Sequence, residues 1–527
     1  MIAPAGVLQR GLVAGIVLVL TIPAMLRALD DIQPDTLEAH TTFLASPLMG
    51  GRNTASLEGR IAANYVASHF ERLRLLPVGD DRSWFQSFSL NRGWLNVDAT
   101  ALSARIVDTD ETFELGRDFG FPQQSLRAAV VRAPLVFAGF AVDAPEYEYS
   151  DFKDIDVAGK VVLAFAEEPQ QHDAGSRFKG RWPTLHSNYW HKAEQVRRTG
   201  AAGLLLIATN TQSGPRRQQS AVDSQPSPLF APSGDLWDLP VFIISPQAAD
   251  RLLRVSGRTS QQIRDALDHT GRPASFDLPN VVVTMRKNVM DVETLQARNV
   301  VAVLAGADPV RRREHVVVAA HYDHLGSFGD TVFPGADDNA SGVAALLEIA
   351  RALAEGPTPR RSVIFIAFDG EERGLLGSFH YVSHPITALS DTVAMVNLDM
   401  IGGDEDSPTW KTPSVDNRNR VNVVGTVYSP DMRRVVEASN ESIGLALDFK
   451  TDDADPEGWF GRSDHFAFAT KSVPIVLFNT GEHPDYHSER DTTATLNHAK
   501  QARIARLALA TVRRLANDDP PPAFRAR

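Results

Sequence analysis

The chain contains no cysteine, so a disulfide framework and a thiolate metal site are both excluded, and any bound metal has to be held by histidine and carboxylate. Positive charge is also in short supply: 53 Lys and Arg stand against 65 Asp and Glu, for a formal net charge of −12. No window forms the basic patch that a nucleic-acid surface needs, so no nucleic-acid partner is expected. No internal repeat is visible. The longest apolar run, Gly11 to Leu26, follows Arg10, precedes Asp30 and Asp31, and includes Pro23. It is shorter than the roughly 20 residues of a membrane-spanning helix, which favours a cleaved signal peptide over residues 1–28, with a membrane anchor as the alternative. The expected location is therefore periplasmic or secreted, with tethering through the same segment as the second choice.

What remains is ordinary in bulk, 43% hydrophobic and 22% charged over 527 residues, too long for one core. The stretch "SLEGRIAANYVASHFERLRL" has helical spacing that puts Ile61, Tyr65, Val66, His69, Phe70 and Leu73 on one face. Alternating segments such as "FQSFSL" and "ARIVDT" read as strands. From about Ala129 to Asp277 a self-contained set of elements follows, including "GKVVLAFAEE", "HKAEQVRRTGA", "AGLLLIAT" and "LPVFIIS", with a polar loop from Thr209 to Ser233 inside it. Trp182, Tyr189 and Trp190 in this region could wall an apolar pocket or form its core. From about Val281 onward near-continuous apolar strands ("HVVVAA", "SVIFIAF", "VAMVNLDM", "VPIVLF") alternate with helices ("SGVAALLEIARALAEG", "PDMRRVVEASNESIG"). That pattern predicts an α/β open sheet with helices on both faces. The expected division is 29–128 as the amino-terminal segment of the catalytic domain, 129–277 as a second domain, 278–517 as the catalytic domain, and 518–527 as a disordered tail.

In an open α/β sheet the functional crevice lies at the carboxyl ends of the strands. There the sequence places His321 and Asp323 in "AHYDHLG", and Glu371 and Glu372 in "DGEE". Asp399 in "NLDMIG" and Tyr486 with His487 in "DYHSERDT" follow, while Asp337 and Asp338 precede a helix in "PGADDNASG". Any one of these alone is weak. Burying them together without a cation would be prohibitive. Histidine with carboxylate suits zinc, and a carboxylate able to bridge points to two ions about 3.5–4 Å apart.

These five motifs, in the chain order "AHYDHLG", "PGADDNASG", "DGEE", "NLDMIG" and "YHSERDT", resemble the cocatalytic two-zinc aminopeptidase family, which includes secreted bacterial leucyl aminopeptidases and, more distantly, glutamate carboxypeptidase II. The segment from Ala129 to Asp277 resembles the protease-associated domain inserted in such enzymes, a β-rich α/β unit. The resemblance implies two zinc ions per chain. Asp338 would bridge them, His321 and Asp399 would complete one site, and Glu372 and His487 the other, with a cis peptide after Asp338. Asp338 is preferred to Asp337 because it lies four residues before Gly342, as the bridging residue does in the family. Glu371 matches the general base. Asp323 is expected to accept the second ring N–H of His321, and Tyr486 to donate to the tetrahedral oxyanion or else to pack. Asp464 and His465 are expected to support and line the pocket, and His324, His380 and His384 to be bystanders.

The function implied is hydrolysis of the amino-terminal residue from peptides with a free amino terminus. The alternatives are a carboxypeptidase or dipeptidase of the same fold, and a non-catalytic receptor-like binding protein. A glutaminyl cyclase would use a single zinc, against the full ligand set here. Residue preference and oligomeric state are not written in the sequence.

Overall fold

The computed structural model describes residues 32–525, apart from 123–125, 127, 172, 174, 179–183, 209–228, 233–238, 405–416, 454, 456 and 457. The apolar amino-terminal run, Trp182 and all but Leu229–Pro232 of the polar loop lie outside the described residues.

Ten strands form the main sheet. In chain order they include β1 (Phe85–Leu95), β2 (Leu229–Pro232), β3 (Val289–Leu304), β4 (His315–His321), β5 (Ser362–Phe368), β6 (Thr392–Leu398), β7 (Arg420–Val424), β8 (Ala446–Asp448) and β9 (Ile475–Asn479). Their spatial order is β2-β1-β3-β5-β4-β6-β9-β7-β8, with the short strand Leu76–Pro77 on β3. The central four, β5, β4, β6 and β9, are parallel. The flanking pairs β3–β5 and β9–β7 are antiparallel. The sheet is therefore open and mixed.

The near-continuous apolar run of β4 follows from burial on both faces. Val316, Val318 and Ala320 enter one core, with α1 (Pro34–Leu44), α2 (Leu57–Arg72), α3 (Gly342–Ala354) and α4 (His498–Asn517). Val317 and Ala319 enter the opposite core with Phe368, Tyr381 and Phe468. In α2 the buried stripe is Gly59, Ala62, Ala63, Val66, Ala67 and Phe70. It is rotated from the expected face, leaving Ile61 exposed. Small residues win that face because they let the helix lie close to β3 and α3.

A second, eight-stranded sheet begins at Ala101 and ends at Lys287. It thus extends beyond both ends of the 129–277 segment, because Ala101–Ile106 and Ala129–Phe137 both pair with Phe276–Lys287. Its core packs helices Pro246–Leu253 and Ser260–Thr270 on one face. On the other, helix Tyr189–Arg198 brings in Ala193 and Val196, with Tyr189 packed alongside. Within this unit Lys192 is fully buried, bonded to the carbonyl of Phe140 and facing Glu168 and Asp151. Burial pushes Lys192 down to about 7, Glu168 up to about 7 and Asp151 up to about 6. A carboxyl raised in this way costs stability as pH rises through its folded pKa, and Lys192 offsets that cost. Lys192→Met is therefore expected to lose about 3–5 kcal/mol near neutral pH and clearly less at pH 5, which thermal unfolding at the two pH values measures.

The carboxyl-terminal segment is not the expected disordered tail through residue 525. Asp519 pairs with Arg361 and Arg360, and Phe524 stacks on Tyr428 at 5.4 Å. Ion pairs and an aromatic contact fix it.

Candidate metal centre

All four parallel strands deliver side chains to the same sheet edge. β4 ends at His321, β5 leads into Glu371 and Glu372, β6 into Asp399, and β9 into the loop bearing Tyr486 and His487. Asp338 enters from the turn before α3, and the Asp338–Asn339 peptide is cis, as the resemblance implies.

Two triads result, sharing Asp338. His321 Nε2 lies 3.3 Å from Asp338 Oδ1 and 3.2 Å from Asp399 Oδ1. His487 Nε2 lies 3.0 Å from Asp338 Oδ2 and 3.4 Å from Glu372 Oε2. Ligands about 2.0–2.2 Å from a tetrahedral zinc stand about 3.3–3.6 Å from one another, so both triads have close to the right spacing. The charge balance agrees. Burial would lower both imidazoles, yet the surrounding carboxylates hold His321 well above its usual range and raise His487 to about 10. Burial likewise opposes ionisation of Asp338, but hydrogen bonds from His321 and His487 hold its carboxyl well below the usual range. Such a pocket demands cations, and its donors fit zinc.

The neighbours divide into distinct tasks. Asp337 points away from the triads: Oδ1 accepts from the Gly402 amide at 2.7 Å and from Ser341 at 3.1 Å, while Oδ2 faces His483. Asp338, with both oxygens on the two imidazoles, is the bridging candidate. Glu371 belongs to neither triad; its Oε2 lies 3.9 Å from His321 Nε2. Burial, then Asp399 and Glu372, push its carboxyl well above the usual range against the pull of His321.

Asp323 is placed differently from expectation. His321 Nδ1 meets the Asp323 backbone carbonyl at 3.1 Å, with the carboxylate 3.8 Å away. That carboxylate instead accepts from Thr54 Oγ1 at 2.6 Å and from the Glu371 amide at 3.1 Å. Tyr486 stacks on His487 at 3.8 Å, and its hydroxyl interacts with Arg462. Asp464 is fully buried and pushed up to about 7 by burial. His465 is a core residue against Phe460, and His380 stacks between Phe88 and His384 away from the triads. His324 is no bystander: its Nδ1 lies 2.6 Å from Glu372 Oε1.

Sequence reasoning missed the support beneath the site. Arg52, buried, donates to the carbonyls of Tyr322, Leu44, Pro334 and Gly335, and so ties together the two loops that carry His321 and Asp338. Asp491 accepts from the amides of Asp337 and Asp338 at 2.9 and 3.1 Å. The run "MGGRNT", between two helices, was the available signal. Gly51 has φ +71°, and a Cβ there would sit 2.2 Å from the Gly326 carbonyl oxygen. Gly51→Ala is therefore expected to destabilise by at least about 2 kcal/mol, read from the shift in a urea unfolding midpoint. From the other side β2 returns to the sheet edge on β1, placing Phe230 among Phe88, Leu90 and Leu376 and under the Arg373 guanidinium.

The family model of peptidase family M28 matches residues 299–512, the stretch that carries every triad residue. The chain is a metallopeptidase, a hydrolase of peptide bonds. Among relatives, the chain is 30% identical over 203 residues to aminopeptidase YwaD of Bacillus subtilis, covering 37% of this chain and 39% of that one. It is 26% identical over 481 residues to the probable lipoprotein aminopeptidase LpqL of Mycobacterium tuberculosis, covering 83% and 81%. In fold it is similar to the aminopeptidase from Aneurinibacillus sp. strain AM-1, with a TM-score of 0.54 at 18% identity over 94% of this chain and 97% of that chain.

Proposed function

We propose that this chain is a two-zinc aminopeptidase, hydrolysing the amino-terminal residue from peptides. The observation that carries the reading is the pair of histidine–carboxylate triads joined at Asp338, with the unliganded Glu371 carboxylate beside them. His321, Asp338 and Asp399 would hold one zinc and Asp338, Glu372 and His487 the other; together the ions would supply Lewis acidity towards water and the scissile carbonyl. Glu371 takes the proton of the attacking water and returns it to the leaving amine. Asp323, anchored by Thr54, fixes the Glu371 backbone amide and so the position of the base. Tyr486, which lies flat on His487, would donate a hydrogen bond to the tetrahedral oxygen. A free amino terminus on the substrate is supported by the relatives: YwaD is described as an aminopeptidase and LpqL as a probable lipoprotein aminopeptidase.

The second sheet, from Ala101 to Lys287, stands as a protease-associated domain inserted into the catalytic unit. An exported protein is supported by the similarity to LpqL, described as a lipoprotein, and by the Gly11–Leu26 run. Among the described residues no helix is long and apolar enough to cross a membrane.

The test is a panel of aminoacyl chromogenic amides beside their amino-acetylated counterparts, with and without chelator. Cleavage of the free-amine substrates alone, abolished by chelation and restored by zinc, is the expected outcome. Cleavage of the acetylated series at equal rate would overturn the exopeptidase assignment.

A further inference from the structure

His324 is fully buried, with Nδ1 2.6 Å from Glu372 Oε1 and 3.8 Å from Asp338 Oδ2. A histidine in that place could be an additional metal ligand or a partner for Glu372, and the distances separate the two. Two ligands of one tetrahedral zinc stand about 3.3–3.6 Å apart, the spacing that His487 Nε2 keeps from Glu372 Oε2 at 3.4 Å. A separation of 2.6 Å is instead that of a short charge-assisted hydrogen bond. The two oxygens of Glu372 thus face different histidines: Oε2 towards the metal ligand His487, Oε1 towards His324.

We propose that His324 is a positioning residue that donates its Nδ1–H to Glu372 Oε1 and so fixes Glu372 as a one-oxygen metal ligand through Oε2. The imidazole is itself held in place. The His324 amide donates to the Arg52 carbonyl at 3.1 Å, and Asn53 forms a bridge with His324. Gly335 opens the space the ring fills, since a Cβ there would lie 2.5 Å from ring atoms Cγ and Cδ2. With Nδ1 protonated, Nε2 is a bare acceptor, and among the described residues it has no hydrogen-bond partner; an unpaired acceptor is better tolerated than an unpaired buried donor. Without His324, Oε1 would lose this donor, and Glu372 could rotate to present both oxygens to one ion. Partners of this kind around metal ligands change affinity by about 10–100-fold.

The inference rests on the two-metal reading, and the experiment keeps the two apart. The full-length apo enzyme, His324→Gln and His324→Leu are titrated with zinc against a competing chelator, and the cobalt-substituted forms are examined by visible absorption. Two sites in the wild type, one weakened about 10–100-fold in His324→Leu and largely restored in His324→Gln, whose amide N–H can reach Oε1, is the expected result, with the cobalt bands of His324→Gln unchanged. Unaltered affinities in His324→Leu would overturn the inference, as would equal losses in both variants with cobalt bands shifted by loss of a nitrogen ligand. Fewer than two zinc ions in the wild type would instead contradict the two-metal reading itself.

Discussion

Replacing Glu371 by glutamine will lower kcat by about 10²–10⁴ while leaving KM, metal content and thermal stability close to those of the wild type. The amide keeps the shape and the hydrogen-bonding capacity of the side chain but cannot accept the proton of the attacking water. Glu371 sits outside both triads, its Oε2 3.9 Å from His321 Nε2, so the substitution removes no ligand. Steady-state kinetics on an aminoacyl amide, paired with zinc quantitation of the same preparation, measure the effect. A variant that retained a tenth or more of the activity would remove Glu371 from the role of base, and one that lost metal would make it a ligand.

Asp338→Asn will have the opposite signature, with metal lost first and activity lost because of it. Asp338 is the only residue shared by the two triads, 3.3 Å from His321 Nε2 and 3.0 Å from His487 Nε2 through its two oxygens. Removing its charge weakens both sites at once, by more than the roughly 100-fold that loss of an outer partner costs. Activity should fall to the level of the chelated enzyme. Asp337→Asn is the control. Its carboxylate faces Gly402, Ser341 and His483, so stability should suffer while both metals still bind. The reverse pattern, with Asp337→Asn stripping the metals and Asp338→Asn retaining them, would exchange the roles of the two aspartates.

The residues of the two triads were legible as a group because they lie at or after the ends of apolar strands or, for Asp338, just before a helix, and strand ends in a parallel sheet converge at one edge. His324 was misjudged because its role depends on a loop crossing back from His321 towards Glu372, which no periodicity records. Asp323 meets His321 through its backbone carbonyl rather than its carboxylate, a difference that sequence cannot record. The contribution of Gly51, Arg52 and Thr54 was hidden by distance: these residues lie some 270 positions before the loops they brace, and only the folded chain joins them. The second sheet was underdrawn for a related reason. Its first and last strands in sequence, Ala101–Ile106 and Phe276–Lys287, pair with each other, and a composition shift marks only the interior of such a closure. In α2, alternation between alanine and larger residues left the helical face ambiguous, and packing against β3 chose the small side.

The central claim is that five residues hold two ions bridged by Asp338. Crystals of the zinc-loaded enzyme measured on both sides of the zinc absorption edge test it directly. The account predicts two anomalous peaks about 3.5–4 Å apart, one among His321, Asp338 and Asp399 and the other among Asp338, Glu372 and His487. A single peak, or two peaks not bridged by Asp338, would contradict it.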